Sequence, residues 1–298
     1  MHLRPAAVAS RQWDYQRIAA LHQLQVNAPA VVLTTAEALC QRCIPPQVLA
    51  GAVIGLAPGQ RHDVAQLCHR LTDAGYTRCD QVEGPGQFAL RGGILDVFSP
   101  GMEQPVRCEF FDDEIDSLGI FDAATQRRVE NRREALLLPA AEVLPGWEEH
   151  AAEDAAARLE AAVKRLARKQ GTQALRDLLT ADAALLRQGV TPNGADRCMA
   201  AVYPEKTTAL DYLPADALIC VEDSGRTAEA LRRAAHALKN SAATLCFEEL
   251  RLRAAALEQA ARQVLAGTPE NAAGLGSLAA ACAGALARAE EALRRDNG

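Results

Sequence analysis

A run of short apolar segments between residues 77 and 138 most constrains the fold of this chain. Six segments have the length and the β-branched or aromatic content of strands, and they read TRCDQV, FALR, ILDVF, VRCEFF, IDSLGIF and EALLL. The breaks between them, EGPG, SPGMEQP, DDE and DAATQ, are rich in turn-forming residues. Short strands joined by short turns predict an antiparallel meander.

A helical pattern precedes the meander, at residues 62–74. Its apolar residues recur on one face, and Gly75 follows as a residue suited to end a helix. The apolar positions are Val64, Leu67, Cys68 and Leu71. Together with the meander, this helix predicts a small α+β domain over residues 53–138.

The segments on either side of that domain alternate between strand and helix patterns. PAVVLTT (29–35) and DALICVED (216–223) are short apolar runs, typical of strands buried on both faces. Helices are predicted over 11–24, over AEALCQRC with a stop at Pro45 and Pro46, and over 227–239. Two further amphipathic helices follow the meander, at Leu159, Val163 and Leu166 and at Leu175, Leu178, Leu179, Leu185 and Leu186. The alternation predicts an α/β domain that the meander interrupts.

Charge and cysteine content narrow the class of protein. The net charge of −6 and pI of about 5.6 argue against nucleic-acid binding by the chain as a whole, because proteins that bind nucleic acid typically carry excess positive charge. Nine irregularly spaced cysteines predict reduced thiols in a cytoplasm. No apolar run reaches the roughly 18 residues of a membrane span, and the N-terminus lacks the apolar region of a secretory signal. We therefore expect a cytoplasmic protein without a membrane partner.

Motifs for catalysis or cofactor binding are weak. The phosphate loop G-x-x-x-x-G-K-[ST] is missing, which argues against nucleotide binding. Cys40 and Cys43 form a lone C-x-x-C without the second ligand pair that zinc needs. We predict no catalytic residue, cofactor or metal. The alternative from another class is a metallohydrolase whose acid cluster consists of Asp96, Glu109, Asp112 and Asp113.

The segment VRCEFF suggests a binding surface, since side chains alternate across a strand. Its apolar members, Val106, Cys108 and Phe110, are predicted to face the core. Arg107, Glu109 and Phe111 then face outward, and an exposed aromatic beside an arginine is typical of a protein-binding hot spot. The alternative is that the helix or a loop covers Phe111.

These residues also carry a family likeness. Residues 29–143 resemble the N-terminal region of bacterial transcription-repair coupling factors, and the run from GYTRCDQV to FDAATQRR is similar to their domain 2 almost throughout. The same region resembles the excision-nuclease subunit UvrB more distantly. The resemblance implies an α/β fold in which a degenerate RecA-like domain, a motor remnant, is interrupted by a small inserted α+β domain with an antiparallel meander. The implied boundaries are 1–52 and 139–266 for the split domain 1 and 53–138 for domain 2. Residues 267–298 lie beyond the resemblance, and their alanine-rich, low-complexity composition predicts a helical tail.

In this family domain 2 recruits the damage-recognition protein UvrA. The resemblance assigns that role here to Arg91, Arg107 and Phe111, and the pair Gly92-Gly93 is interpreted as a bulge or flattened edge that presents Arg91. The implied function is a UvrA-recruiting adaptor of transcription-coupled nucleotide excision repair, without catalysis. The alternative is a UvrB-like helicase subunit, although its phosphate loop and aromatic DNA-clamping hairpin are missing.

Three positions depart from the family pattern. Ser99 replaces a usual proline, while Gly119 and Arg128 replace a usual arginine and serine.

The family's RNA polymerase-binding module and DNA translocase motor are expected in regions that this chain lacks, so a fragment or truncated reading frame is expected. Residues 53–138 hold nine arginines, no lysine and fourteen acidic residues, and this net charge of −5 argues against direct DNA binding there.

Overall fold

The protein combines helices with a largely antiparallel sheet. The computed structural model describes residues 11–26, 31–35, 38–39, 41–167, 170–214, Ala217 and separate positions between 229 and 262. Its α-helices are α1 (Gln12–Gln25), α2 (Pro46–Ala52), α3 (Val64–Asp73), α4 (Ala151–Leu166), α5 (Gln173–Arg187) and α6 (Met199–Val202). Its strands are β1 (Ile54–Leu56), β2 (Thr77–Arg78), β3 (Gln87–Arg91), β4 (Ile94–Phe98), β5 (Val106–Phe111), β6 (Glu114–Phe121), β7 (Arg128–Asn131) and β8 (Ala135–Leu137).

Six strands form one sheet in the order β2-β3-β4-β5-β6-β7. Every neighbouring pair from β3 to β7 is antiparallel, so the predicted meander is confirmed for the four segments from FALR to IDSLGIF. The first predicted segment, TRCDQV, contributes β2, which pairs with β3 in parallel, and the last, EALLL, lies outside this sheet. Strand β7 was not predicted, because all four residues of this edge strand are exposed and show no apolar alternation.

A separate two-stranded ladder joins the beginning and end of this region. Strand β1 pairs antiparallel with β8, and Ile54 lies opposite Leu137. The chain therefore returns beside the point where it began, after building the whole six-stranded sheet.

Helix α3 covers one face of the six-stranded sheet. Asp63 caps its first turn by accepting the Gln66 N–H at 3.0 Å, and Gly75 ends it with φ +87°. The helix predicted over 62–74 is confirmed. Its buried residues pack with the inner face of the sheet in one core that includes Leu67, Leu71, Phe88, Leu95, Val97, Val106, Cys108 and Leu118.

The opposite face of the sheet, called the outer face below, is partly covered. Val82, Ala89, Phe98 and Phe121 form a small buried cluster there. In-register pairing places Ala89, Asp96, Arg107 and Gly119 in one row across β3 to β6 of this face, and Arg91, Ile94, Glu109 and Ser117 in the next row.

A second core lies among the helices outside the sheet. It joins α1 and α2 to α4, α5 and α6, with Ile18, Leu49, Leu159, Leu179 and Leu186 among its members. The two amphipathic helices predicted after the meander are confirmed as α4 and α5, and the helix over 11–24 is confirmed as α1.

Two predictions in this second region are wrong. Residues 31–35 are not a buried strand, since Val31 and Leu33 are more than 90% exposed and the segment carries no strand hydrogen bonding. Pro45 and Pro46 do not end a helix but begin α2, at its N-cap and first turn, where a missing N–H and a fixed φ are tolerated. The helix predicted over AEALCQRC is described at Ala38 and Leu39, which are both helical, but Arg42 lies outside it and forms a β-bridge with Thr208.

The other predictions for the C-terminal third lie largely outside the described residues. This applies to the strand over 216–223 and to the tail over 267–298, while the helix over 227–239 is described at four positions, all helical. Among the described helices, none is long and apolar enough to cross a membrane.

Candidate partner-binding surface

Gly92 and Gly93 form the turn of a β-hairpin. Arg91 and Ile94 pair on either side of them, and Gly92 has φ +60°, which the tight two-residue turn requires. The β3–β4 register is unbroken, so the interpretation as a bulge is wrong. Gly93 lets β5 come close, because a Cβ there would lie 2.9 Å from the Phe110 carbonyl oxygen. The turn fixes Arg91 at the end of β3.

Asp96 connects the two predicted arginines. Its carboxylate, with the residue wholly buried, accepts Arg91 Nη2 at 2.9 Å and Arg107 Nε and Nη2 at 2.7 and 2.8 Å. The contact with Arg107 is a two-point fork, the strongest geometry for an arginine and a carboxylate. Arg91 and Arg107 are therefore brought together by one buried anion.

Arg107 lies on the outer face, as strand alternation predicts, but its side chain is not exposed there. Its side chain is only 15% exposed, and its guanidinium lies 4.4 Å from the centre of the Phe121 ring. Nη1 donates to the Gln126 carbonyl oxygen at 3.3 Å. The bonds to Asp96 raise the pKa of Arg107 above its usual value, which keeps it cationic. The outer face is closed here because the apolar cluster around Phe121 shields the guanidinium from water.

Phe111 is the exposed member of the predicted set. It ends β5 at the hairpin turn Asp112-Asp113, and it is 80% exposed, so neither the helix nor a loop covers it. The register of β5 shifts between Glu109 and Phe110. Phe110 is partly buried and packs against the core beneath the sheet, as the alternation predicts, although less completely than Val106 and Cys108.

Asp96 lies at the centre of this surface, although from the sequence it was considered only as a possible metal ligand. The signal is present in ILDVF, where one acid stands among apolar residues of a buried strand. A buried carboxylate needs a cationic partner, and the arginines of the neighbouring strands supply it.

The four acids of the metallohydrolase alternative do not converge. Asp96 is bonded to the arginines, Glu109 accepts the Ser117 hydroxyl at 2.8 Å, and Asp112 and Asp113 form the hairpin turn. Within the residues that the structure describes, no three His, Cys, Asp or Glu side chains come together to hold a metal. The geometry therefore argues against that alternative.

A second arrangement of reactive side chains involves His236. Its Nδ1 lies 3.1 Å from Oε1 of Glu258, a residue only 3% exposed, while the imidazole itself is half exposed. Arg262 donates to the same Oε1 at 2.6 Å. When Nδ1 carries the ring proton and donates it to Glu258, Nε2 is left unprotonated and nucleophilic.

Comparison with known proteins finds similarity for both regions. A family model described as the UvrB interaction domain matches residues 54–143. Transcription-repair-coupling factors from three bacteria are similar to the chain: that of Bacillus subtilis is 30% identical over 226 residues, that of Escherichia coli 41% over 126, and that of Myxococcus xanthus 36% over 201. These alignments cover 75%, 42% and 66% of this chain and 19%, 11% and 16% of the relatives, so the chain spans at most about a fifth of their length. A second family model, described as an Hpt domain, matches residues 208–295, which include His236.

Proposed function

Because this chain belongs to the transcription-repair-coupling factor family, we propose that residues 54–143 recruit UvrA in transcription-coupled nucleotide excision repair. In this proposal the chain acts in the cytoplasm as a binding module without catalysis of its own. Arg91 and Phe111 contact UvrA, and Arg107 supports the surface through Asp96.

The observation that carries this proposal is the exposure of Phe111 on the sheet of the UvrB interaction domain. A phenylalanine that is 80% exposed leaves a large apolar area in water, and burying it in a partner's pocket is favourable. Arg91 ends β3, two strands from β5 in the same sheet, and its side chain is 48% exposed. Aromatic and arginine side chains are the residue types that dominate binding energy at protein interfaces.

The wider organisation proposed for the chain follows the family. Residues 1–52 and 139–266 would form a degenerate RecA-like domain interrupted by residues 53–138, with residues 267–298 as a helical tail. Two separate hydrophobic cores, one beneath the six-stranded sheet and one among α1, α2, α4, α5 and α6, support the division. RNA polymerase and DNA are proposed as partners of the longer family members only.

A motor remnant should bind no ATP, so a clear rise in melting temperature with ATP would contradict this organisation.

A pair of adjacent phenylalanines tests UvrA recruitment. Phe111→Ala should weaken binding of UvrA by about 2 kcal/mol in calorimetry, the magnitude of a hot-spot aromatic, and should leave the melting temperature unchanged. Phe110→Ala should instead lower the free energy of unfolding by about 2 to 3 kcal/mol, since the ring is partly buried.

The control for an exposed apolar side chain elsewhere is Val190→Ala, at a residue 47% exposed and outside the matched domain. It should change neither property. Equal UvrA affinity of wild type and the Phe111 variant would remove Phe111 from the interface.

The geometry at His236 favours a second candidate function, acceptance of a phosphoryl group. The Nε2 lone pair would attack the phosphorus of a phosphoryl donor, and the donor's leaving group would depart with the bonding electrons. The carboxylate of Glu258 holds the ring through Nδ1, an orienting contact of the kind that serves a nucleophilic imidazole. The match to the Hpt domain model over residues 208–295 supports the assignment, and over residues 208–266 it is an alternative to the RecA-like assignment.

Incubation with acetyl phosphate or phosphoramidate tests this second function. The chain should gain one acid-labile phosphoryl group, detected as a phosphohistidine signal by phosphorus NMR. His236→Gln should abolish the signal, and Glu258→Gln should slow its appearance. A phosphoryl group on another residue, or none, would refute it.

A further inference from the structure

Gly119 is the one member of its row on the outer face without a side chain, and Arg128 occupies the space above it. A Cβ built at Gly119 would lie 2.5 Å from the Glu130 carbonyl oxygen and 2.6 Å from Arg128 Nε, closer than atoms in contact can approach, so the glycine makes room for the β7 backbone as well as for the arginine. Arg128 comes from the edge strand β7, one strand beyond the row that contains Asp96 and Arg107. The missing side chain on β6 therefore lets an arginine from β7 lie across the sheet.

Arg128 is held in this position by polar contacts. Its Nη2 donates to the Ser117 hydroxyl at 3.0 Å, and Nη1 lies 3.8 Å from Glu109 Oε1. Ser117 in turn donates to Glu109 Oε2 at 2.8 Å. These contacts connect β7, β6 and β5, and they lead to the row that contains Ile94 and Arg91 on β4 and β3.

The row forms a continuous, partly exposed surface from Arg91 to Arg128. The side chains of Arg91, Glu109 and Arg128 are 48%, 43% and 30% exposed, and Ile94 is 37% exposed. Arg91 and Arg128 thus place a cation at each end of this surface, and Ile94 lies next to Arg91. The negative charge of Glu109, between the two ends, is partly offset by Arg128. A partner with two carboxylates flanking an apolar side chain fits this pattern of charge.

We propose that Arg128 is a further partner-contact residue, which extends the UvrA-binding surface across β6 to β7 and binds a carboxylate of the partner. The proposal rests on the proposed function of the same surface.

Charge-removing variants of the 298-residue chain test this proposal by UvrA affinity at several salt concentrations. Arg128→Gln should lower the affinity about tenfold, the loss of one charged contact at an interface, and should reduce the salt dependence. The matched control is Arg132→Gln, which removes the same charge just after β7, where Arg132 pairs with Glu130. That control should change the affinity less than about twofold.

A double-mutant cycle separates direct contact from the offsetting of Glu109. If Arg128 binds the partner itself, Arg128→Gln should remain about as damaging in a Glu109→Gln background as in wild type. If the loss disappears in that background, Arg128 acts only on Glu109 and the contact is refuted. Melting temperatures verify that each variant is folded.

The outcomes also distinguish this proposal from the proposed function. If Phe111→Ala and Arg91→Ala weaken UvrA binding while Arg128→Gln does not, UvrA recruitment stands and the extension across β6 is overturned. If the wild-type chain does not bind UvrA, both are overturned.

Discussion

Replacing Arg107 by alanine should unfold the sheet more readily rather than merely remove a surface contact. The substitution leaves Asp96, a wholly buried residue, with Arg91 as its remaining guanidinium partner in this network. Two charge-assisted hydrogen bonds of 2.7 and 2.8 Å are lost. Removing one partner of a buried ion pair costs about 3 to 5 kcal/mol. Because Arg91 still reaches Asp96, we expect the lower end, about 3 kcal/mol.

The packing against Phe121 adds a smaller contribution. The guanidinium lies 4.4 Å from the ring centre, and such a contact is worth about 0.5 to 1 kcal/mol at a partly exposed site. Arg107→Lys should give an intermediate loss, since an ammonium keeps the charge but cannot form the two-point fork. Arg91→Ala should lower the free energy of unfolding by less than about 1 kcal/mol, because this side chain is half exposed and Arg107 still neutralises Asp96.

Urea unfolding followed by far-UV circular dichroism measures these differences. Native-state hydrogen exchange of the β4 and β5 amides reads the stability of the sheet itself, separately from the helical core. If the free energy of unfolding of the sheet in the Arg107→Ala variant lies within about 0.5 kcal/mol of the wild-type value, the buried network does not stabilise the sheet. If it is destabilised as expected, a loss of UvrA binding in this variant is no proof that Arg107 touches UvrA.

Other properties follow from single contacts elsewhere. Burial raises the pKa of Glu142 from 4.5 to about 7, against the opposing effect of Arg17. In the folded protein Glu142 retains its proton, and this contributes about 3 kcal/mol to stability. The contribution is complete below about pH 4.5 and is lost as the pH rises through 7. In thermal melts from pH 5 to 8, the melting temperature of Glu142→Gln should therefore rise relative to that of wild type as the pH increases. A difference in melting temperature that stays constant over this range would contradict the buried proton. Gly93→Ala should cost about 1 to 3 kcal/mol in urea melts, because the new Cβ would lie 2.9 Å from the Phe110 carbonyl oxygen. Gly55→Ala, with nothing within 4 Å of its Cβ, is the matched control, and equal losses for the two would refute the steric argument.

Local sequence signals predicted the parts of the fold whose pattern is periodic. The meander and α3 were visible because β-branched runs alternate with turn residues, and because Leu67, Cys68 and Leu71 recur at helical spacing. Strand β7 carries no such pattern, since its residues are exposed and it is ordered by pairing with β6. The helix start at Pro46 was misread because proline both ends helices and begins them.

The candidate surface was predictable in its members but not in their roles. Strand alternation placed Arg107 and Phe111 on one face, yet only Phe111 is exposed there. The difference depends on Phe121 and Gln126, which come from later in the chain and close over Arg107. The alternation of side chains along one strand does not show which other parts of the chain cover its face.

The pairing of β1 with β8 makes the sheet-bearing region portable. Because Ile54 and Leu137 are partners in one ladder, the chain enters and leaves this unit at points roughly 5 Å apart. A host protein could carry it in an ordinary surface turn, since ends that are already joined add almost no loop-closure entropy to the host. The proposed binding face would then be displayed on an unrelated scaffold, in the way that a recognition loop is grafted between two strands.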